Sequence, residues 1–126
     1  MTLTLNGTLV LVGAGKMGGA MLEGWLKAGA DPKKIVALDP GPPAEVLAVL
    51  KQHNIRHNPP VESIIDAEVV LTAVKPQVMD DVLAPLHSLA KSKPLILSIM
   101  AGKTIAKLAA HFGDDASIIR TMPNTP

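Results

Sequence analysis

One junction near the start constrains this chain more than any other stretch. Thr8-Leu-Val-Leu-Val12 is apolar or β-branched throughout and runs directly into Gly13-Ala-Gly-Lys-Met-Gly18. Five such residues bounded by a glycine read as a fully buried strand. Beyond the glycines, Met17, Met21, Leu22, Trp25 and Leu26 recur at three- and four-residue spacing. That spacing predicts a helix over 17–28 with one apolar stripe, its methionines and tryptophan serving as core packing. Gly29 suits the helix end, and Asp31-Pro32 prevents its continuation.

The same alternation repeats along the rest of the chain. Ile35–Asp39 is a second short buried strand, Pro40-Gly-Pro-Pro43 a rigid turn, and Glu45–Gln52 a two-turn helix entered through a proline. Ile55-Arg56 suits a short edge strand and 57–60 a loop, while 63–67 is too short to assign. Glu68–Val74 is the next strong strand, closed by Lys75-Pro76. A helical stripe follows through Val78, Met79, Val82, Leu83, Leu86 and Leu89, and Pro85 predicts a kink or two pieces within it. Leu95–Ile99 is a strand and 100–102 a turn. Thr104 caps a helix over Ile105–Phe112 that Gly113 ends, and Ser117–Arg120 is the last strand. Short apolar strands alternating with helices require a parallel sheet covered on both faces. The fold expected is therefore α/β: one doubly wound, Rossmann-type domain spanning 1–126.

Composition narrows the function classes. The net charge is +1 with the signs interspersed, and the only aromatic residues are Trp25 and Phe112, so nothing marks a nucleic-acid surface. There is no cysteine, which removes disulfides, thiolate catalysis and cysteine metal sites. His53, His57, His87 and His111 lack metal-ligand spacing, so no metal is expected. No apolar run reaches membrane-spanning length and no signal peptide is apparent, which makes a cytoplasmic protein with no membrane partner the expectation.

In a doubly wound sheet, ligands bind beyond the carboxyl ends of the strands, where strand order reverses. Four strand ends share that edge here: 13–18, 39–43, 73–77 and 99–102, each rich in glycine, proline or small residues. With strand before and helix after, Gly13, Gly15 and Gly18 form a dinucleotide-binding pattern. Gly13 allows the turn, Gly15 the approach of a pyrophosphate, and Gly18 the packing of helix on sheet. A tight strand-to-helix turn without a ligand is the alternative. Asp39 lies twenty-six residues beyond Gly13. There it can accept hydrogen bonds from a ribose and repel a 2′-phosphate, and 40–43 supply no arginine to hold one. That leans to NAD(H), although Asp39 can equally cap its own turn. Lys75 can reach a phosphate or ribose, or simply be solvated. No nucleophile–base pair stands out, so no catalytic residue is assigned.

Four pieces taken in order carry a specific resemblance: 12–18, Ala73-Val-Lys-Pro-Gln77, Ser98-Ile-Met-Ala-Gly102 with Lys103-Thr-Ile105, and Arg120-Thr-Met-Pro-Asn-Thr-Pro126. Together they resemble the amino-terminal domain of pyrroline-5-carboxylate reductase, over nearly the whole chain from Leu9. The resemblance implies reduction of the C=N bond of pyrroline-5-carboxylate to L-proline with NADPH or NADH. It implies that Val12, Gly13, Ala14, Gly15, Lys16, Met17 and Gly18 lie along the pyrophosphate and Asp39 by the adenine ribose. Ala73, Val74, Lys75 and Pro76 would follow the ribose and nicotinamide half, and Ile99, Met100 and Ala101 would line the nicotinamide pocket. Asn124 and Thr125 would stand on a loop facing the small-molecule substrate.

Three departures accompany the match. Relatives often carry serine or threonine at position 39, Met100 stands where a small residue is usual, and Pro60 occupies the place of a cofactor-contacting asparagine, with Asn58 only nearby. The family continues into a helical domain that forms the dimer and makes most substrate contacts, a domain absent from this sequence. A homo-oligomer is thus expected of the longer protein, and a monomer or weak self-associator of this chain. A nucleotide-binding module without turnover and a related hydroxy-acid dehydrogenase are the competing readings.

Overall fold

The structure, a computed structural model, describes residues 5–100, 102 and 104–121. Six strands form one sheet: β1 (Thr8–Val12), β2 (Ile35–Leu38), β3 (Arg56–His57), β4 (Ala67–Thr72), β5 (Leu95–Ser98) and β6 (Ser117–Arg120). Their order is β3-β2-β1-β4-β5-β6, every neighbouring pair parallel. The doubly wound α/β expectation therefore holds, and the order reverses between β1 and β4. Four helices connect the strands: α1 (Lys16–Lys27), α2 (Ala44–Gln52), α3 (Met79–Leu83) and α4 (Ile105–Phe112).

The two-residue period of β1 sorts its side chains between two cores. Leu9 and Leu11 pack with Leu22 of α1 and Val46 and Leu50 of α2. Val10 and Val12 pack on the other face with Met79, Leu83, Leu108 and Phe112. All five residues of β1 are buried, which is why its sequence shows no polar alternation. Met21, Trp25 and Leu26 are half-buried against the first core, as their spacing predicts.

Several element limits differ from the sequence expectation. The strands β2, β4 and β5 stop at Leu38, Thr72 and Ser98, earlier than Asp39, Val74 and Ile99. Each last carbonyl nevertheless receives one more N–H from the neighbouring chain. Gly13 donates to Leu38 at 2.9 Å, Ala73 to Val12 at 2.7 Å, Ile99 to Thr72 at 3.1 Å and Thr121 to Ser98 at 2.8 Å. The carboxyl edge of the sheet is thus tied across five strands. The short edge strand comes one residue later than expected, because Ile55 is buried and its N–H closes on Leu50 O at 2.9 Å. A 3₁₀ turn forms at Val61–Ser63, and β4 opens at Ala67.

The stretch after Pro76 forms three pieces: a 3₁₀ turn at Pro76–Val78, α3, and a 3₁₀ helix over Ala84–Ser92. Pro85 has no N–H to donate, and its ring displaces the carbonyl four residues back, so the α-helical ladder ends at Leu83. Met79, Leu83, Leu86 and Leu89 still form the buried stripe. For α4, the Thr104 hydroxyl accepts from Lys107 N–H at 3.2 Å, and Gly113 at φ 102 ends the helix.

Candidate functional site

A cleft of ≈ 340 Å³ opens at the carboxyl ends of β1, β2 and β4, at the reversal of strand order. The strands reach this edge in step through the four cross-strand hydrogen bonds just described. Three of the four strand ends singled out in the sequence border it. Gly13 and Gly15 come from the first, Asp39, Pro40, Gly41 and Pro43 from the second, and Ala73, Val74 and Lys75 from the third.

The three glycines differ in what surrounds them. Gly13 sits at φ +91 with Ala73 backbone 2.8 Å from where a Cβ would lie, so a side chain is excluded both by conformation and by space. At Gly18 a Cβ would fall 2.4 Å from Gly13 O, inside the turn itself. Gly15 is the opposite case. Its φ of -78 and ψ of -156 are open to any residue, and nothing lies within 4 Å of its Cβ position. The protein's own packing requires Gly13 and Gly18; only something outside it would require Gly15.

The helix that starts there is also left open. Gly15 is the N-cap of α1, no side chain caps it, and its first turn holds no acidic residue. Its first N–H groups lack intrahelical partners, and the helix dipole adds partial positive charge. By contrast α4 carries its own cap in Thr104. An open N-terminus facing a cleft beside a glycine with empty space is suited to an anion such as a pyrophosphate.

Asp39, just beyond β2, borders the same cleft beside the glycine turn. Its Oδ2 accepts from Ala14 N–H at 2.7 Å and its Oδ1 from Gly41 N–H at 2.8 Å. It therefore caps its own turn, as the alternative reading of the sequence has it, and also ties β2 to the glycine turn after β1. A carboxylate offers about four lone-pair sites, so two bonds leave each oxygen able to accept another donor. A diol is the ligand group that matches two adjacent free acceptors.

The remaining predicted positions are distributed as follows. Val12 and Ala14 are fully buried, so only their backbone faces the turn. Lys16 is exposed at the head of α1, and Met17 is half-buried behind it. Lys75 is exposed on the cleft rim, and Pro76 opens the 3₁₀ turn beside it. Ile99 is half-buried against the first core. Met100 is 3% exposed and belongs to the second core, its N–H held by Ser98 Oγ at 3.2 Å. Neither lines the cleft. Ala101, Asn124 and Thr125 lie outside the described residues. The cleft also uses Leu38, Val78 and Val82, which the sequence assigns to strand and core. Val78 is 43% exposed, and a position at the start of a broken helix was the one available sign. No helix among the described residues is long and apolar enough to cross a membrane.

Comparison with known proteins agrees with this architecture. Residues 8–102 match the family described as "NADP oxidoreductase coenzyme F420-dependent". The chain is 40% identical over 119 residues to pyrroline-5-carboxylate reductase of Haemophilus influenzae, covering 94% of this chain and 43% of that protein. A solved pyrroline-5-carboxylate reductase from Coxiella burnetii superposes with a TM-score of 0.82 at 25% identity, over 97% of this chain and 46% of its own. The Plasmodium falciparum pyrroline carboxylate reductase, solved with NADP bound, gives a TM-score of 0.75 at 26% identity, over 96% and 44% respectively. The chain thus resembles the amino-terminal part of these reductases and spans less than half the length of the relatives it matches.

Proposed function

The chain belongs to the family of NADP oxidoreductases described as coenzyme F420-dependent, and from that premise we propose that it is the dinucleotide-binding part of a pyrroline-5-carboxylate reductase. The observation that carries the reading is the open space at Gly15, set at an uncapped helix N-terminus in the cleft that Asp39 also borders. Two similarities support it: the named reductases match over nearly the whole of this chain, and one of them was solved with NADP.

In this reading a nicotinamide dinucleotide, when bound, supplies the hydride that reduces the C=N bond of pyrroline-5-carboxylate to L-proline. The chain's own residues bind and orient. Backbone N–H groups from Gly15 to Gly18 hold the pyrophosphate, and the missing side chain at Gly15 lets it come close. Asp39 accepts the hydroxyls of the adenine ribose. Ala73, Val74, Lys75 and Pro76 follow the ribose and nicotinamide half, with Val78 and Val82 closing the apolar wall. Ile99, Met100 and Ala101 we assign to the nicotinamide end, and Asn124 and Thr125 to the substrate side.

Asp39 favours NADH over NADPH, because a 2′-phosphate would bring about −1.5 to −2 charges toward an ionised carboxylate. Substrate contacts, the proton donor and homo-oligomer formation we assign to the further length that the relatives possess. A cytoplasmic location belongs to the same proposal.

Calorimetric titration with NADH and NADPH tests the cofactor half, with NADH expected to bind the more tightly. Binding of neither refutes it. A longer protein containing this chain that shows no dinucleotide-dependent reduction of pyrroline-5-carboxylate refutes the reductase.

A further inference from the structure

Asn58 has no part in the site as described so far. It follows β3 in the left-handed region, at φ 54. Its N–H donates to Ala37 O at 2.9 Å, the last main-chain rung between β2 and β3. A left-handed residue cannot continue a strand, and the backbone turns away. The side chain then takes over. Oδ1 accepts from Asp39 N–H at 2.8 Å, and Nδ2 donates to Asp39 O at 2.8 Å. These two bonds also fix the orientation of the amide, since the main-chain N–H needs an acceptor and the carbonyl a donor. A carboxamide has the shape and polarity of a peptide group, so Asn58 gives β2 one more parallel rung.

His57 adds to the same carbonyl, its Nε2 lying 2.8 Å from Asp39 O. A carbonyl only accepts, so Nε2 carries the hydrogen in this contact. The 3.2 Å approach of Asn58 Nδ2 to that nitrogen then brings two donors together and is not a hydrogen bond. Asp39 is held from the β3 side by three bonds to its main chain. From the β1 side its carboxylate is held by Ala14 N–H and, within its own turn, by Gly41 N–H.

We infer that Asn58 is a positioning residue for dinucleotide choice: by bonding both main-chain groups of Asp39, it holds that carboxylate against the glycine turn, where it accepts a ribose hydroxyl and opposes a ribose phosphate. The inference rests on the dinucleotide reading above. Asn58 is exposed and reaches the cleft only through Asp39, so its effect is on which dinucleotide binds and not on contact with either.

Asn58→Gly isolates this role, because glycine keeps the positive φ at no steric cost and removes only the carboxamide. Asn58→Asp is the second variant; it keeps the acceptor for Asp39 N–H and loses the donor to Asp39 O. Two quantities are read in each: hydrogen exchange of the Ala14 and Gly41 amides in the free chain, and the dissociation constants for NADH and NADPH. Faster exchange of both amides, by about fivefold or more, is expected. NADH affinity is expected to fall about tenfold while that for NADPH changes less than about threefold. Unchanged exchange of the two amides overturns the inference, whatever binds. Equal loss for both dinucleotides also overturns it, since a merely structural role has that effect. Failure of the unmodified chain to bind either dinucleotide refutes the reading beneath it and removes the claim about choice, while the exchange rates still show whether Asn58 holds Asp39.

Discussion

Alanine at Gly15 and at Gly18 should have opposite consequences, although the two glycines lie three residues apart in one turn. At Gly15 the backbone is ordinary and the Cβ position is empty to 4 Å. Alanine is a poorer N-cap than glycine by roughly 0.5 kcal/mol, but it restricts the unfolded chain by about 0.4–1 kcal/mol, so the two nearly cancel. Gly15→Ala should melt within about 2 °C of the parent. Its methyl group nevertheless occupies the space assigned to the pyrophosphate, and dinucleotide affinity should fall at least about tenfold, or about 1.4 kcal/mol. At Gly18 the added carbon meets Gly13 O at 2.4 Å. Gly13 cannot retreat, because its own Cβ position already lies 2.8 Å from Ala73 backbone. Overpacking of about 1–3 kcal/mol then outweighs the helix propensity gain of roughly 1 kcal/mol. Gly18→Ala should lower the melting temperature by several degrees, about 3–5 °C per kcal/mol for a chain of this size. Differential scanning calorimetry with and without NADH reads both effects. A Gly15→Ala protein that binds NADH as the parent does, or that melts well below it, would refute the reasoning about what glycine is for at that position.

Asp39→Ser removes the like charge facing a 2′-phosphate, and titration should show the NADPH-to-NADH affinity ratio rising about tenfold. The cost in stability should stay near 1 kcal/mol, because Ala14 and Gly41 N–H lie at a half-open site where water can replace the carboxylate. Gly19→Ala places a Cβ 2.4 Å from Val46 Cγ2, where α1 meets α2. Denaturant unfolding should show a loss of about 1–3 kcal/mol, and the double variant with Val46→Ala should lose less than the sum of the two single changes by about 1 kcal/mol. Thr104→Ala deletes the acceptor for Lys107 N–H and should cost about 1 kcal/mol, with faster amide exchange confined to the first turn of α4.

Much of this was legible in the sequence, for identifiable reasons. The strands of a parallel sheet are covered on both faces, so β1, β2, β4 and β5 carry short apolar runs at 9–12, 35–38, 69–71 and 95–97. The helices α1 and α4 carry clear three- and four-residue periods and recognisable ends. The segment 76–92 was harder. Its apolar stripe has helical spacing, but Pro85 and the left-handed Lys93 at φ 53 divide it in ways that a period cannot show. Met100 is a related case, since its burial does not follow from a period. The resemblance puts it at the nicotinamide end; in the structure its N–H donates to the Ser98 hydroxyl and its side chain lies in the second core. The walls Val78 and Val82 share a stripe with true core residues, and only their position at the cleft edge separates them.

What the sequence could not disclose is the cooperation of Asp39 with residues on two other segments. A carboxylate at the end of β2 can be assigned to a ribose from spacing alone. Its hydrogen bond to Ala14, and the three bonds to its main chain from 57 and 58, arise only when β1, β2 and β3 lie side by side. This division has a consequence for how the site can change. The glycine turn is held by steric exclusion at Gly13 and Gly18, so substitutions at those two positions damage the fold before they alter the ligand. On the reading proposed above, dinucleotide choice would rest instead on one half-buried side chain and its exposed support. Positions 39 and 58 can therefore vary at modest cost in stability, while Gly13 and Gly18 beside them cannot. On this argument a change of dinucleotide preference needs no repacking of either core, and variants selected for NADPH use should carry their substitutions at 39, 41 or 58 rather than within 13–18. Selection from a library randomised over both segments, with the winners sequenced, reads this directly. Winners concentrated in 13–18 would show that the turn, and not the support of Asp39, sets the preference.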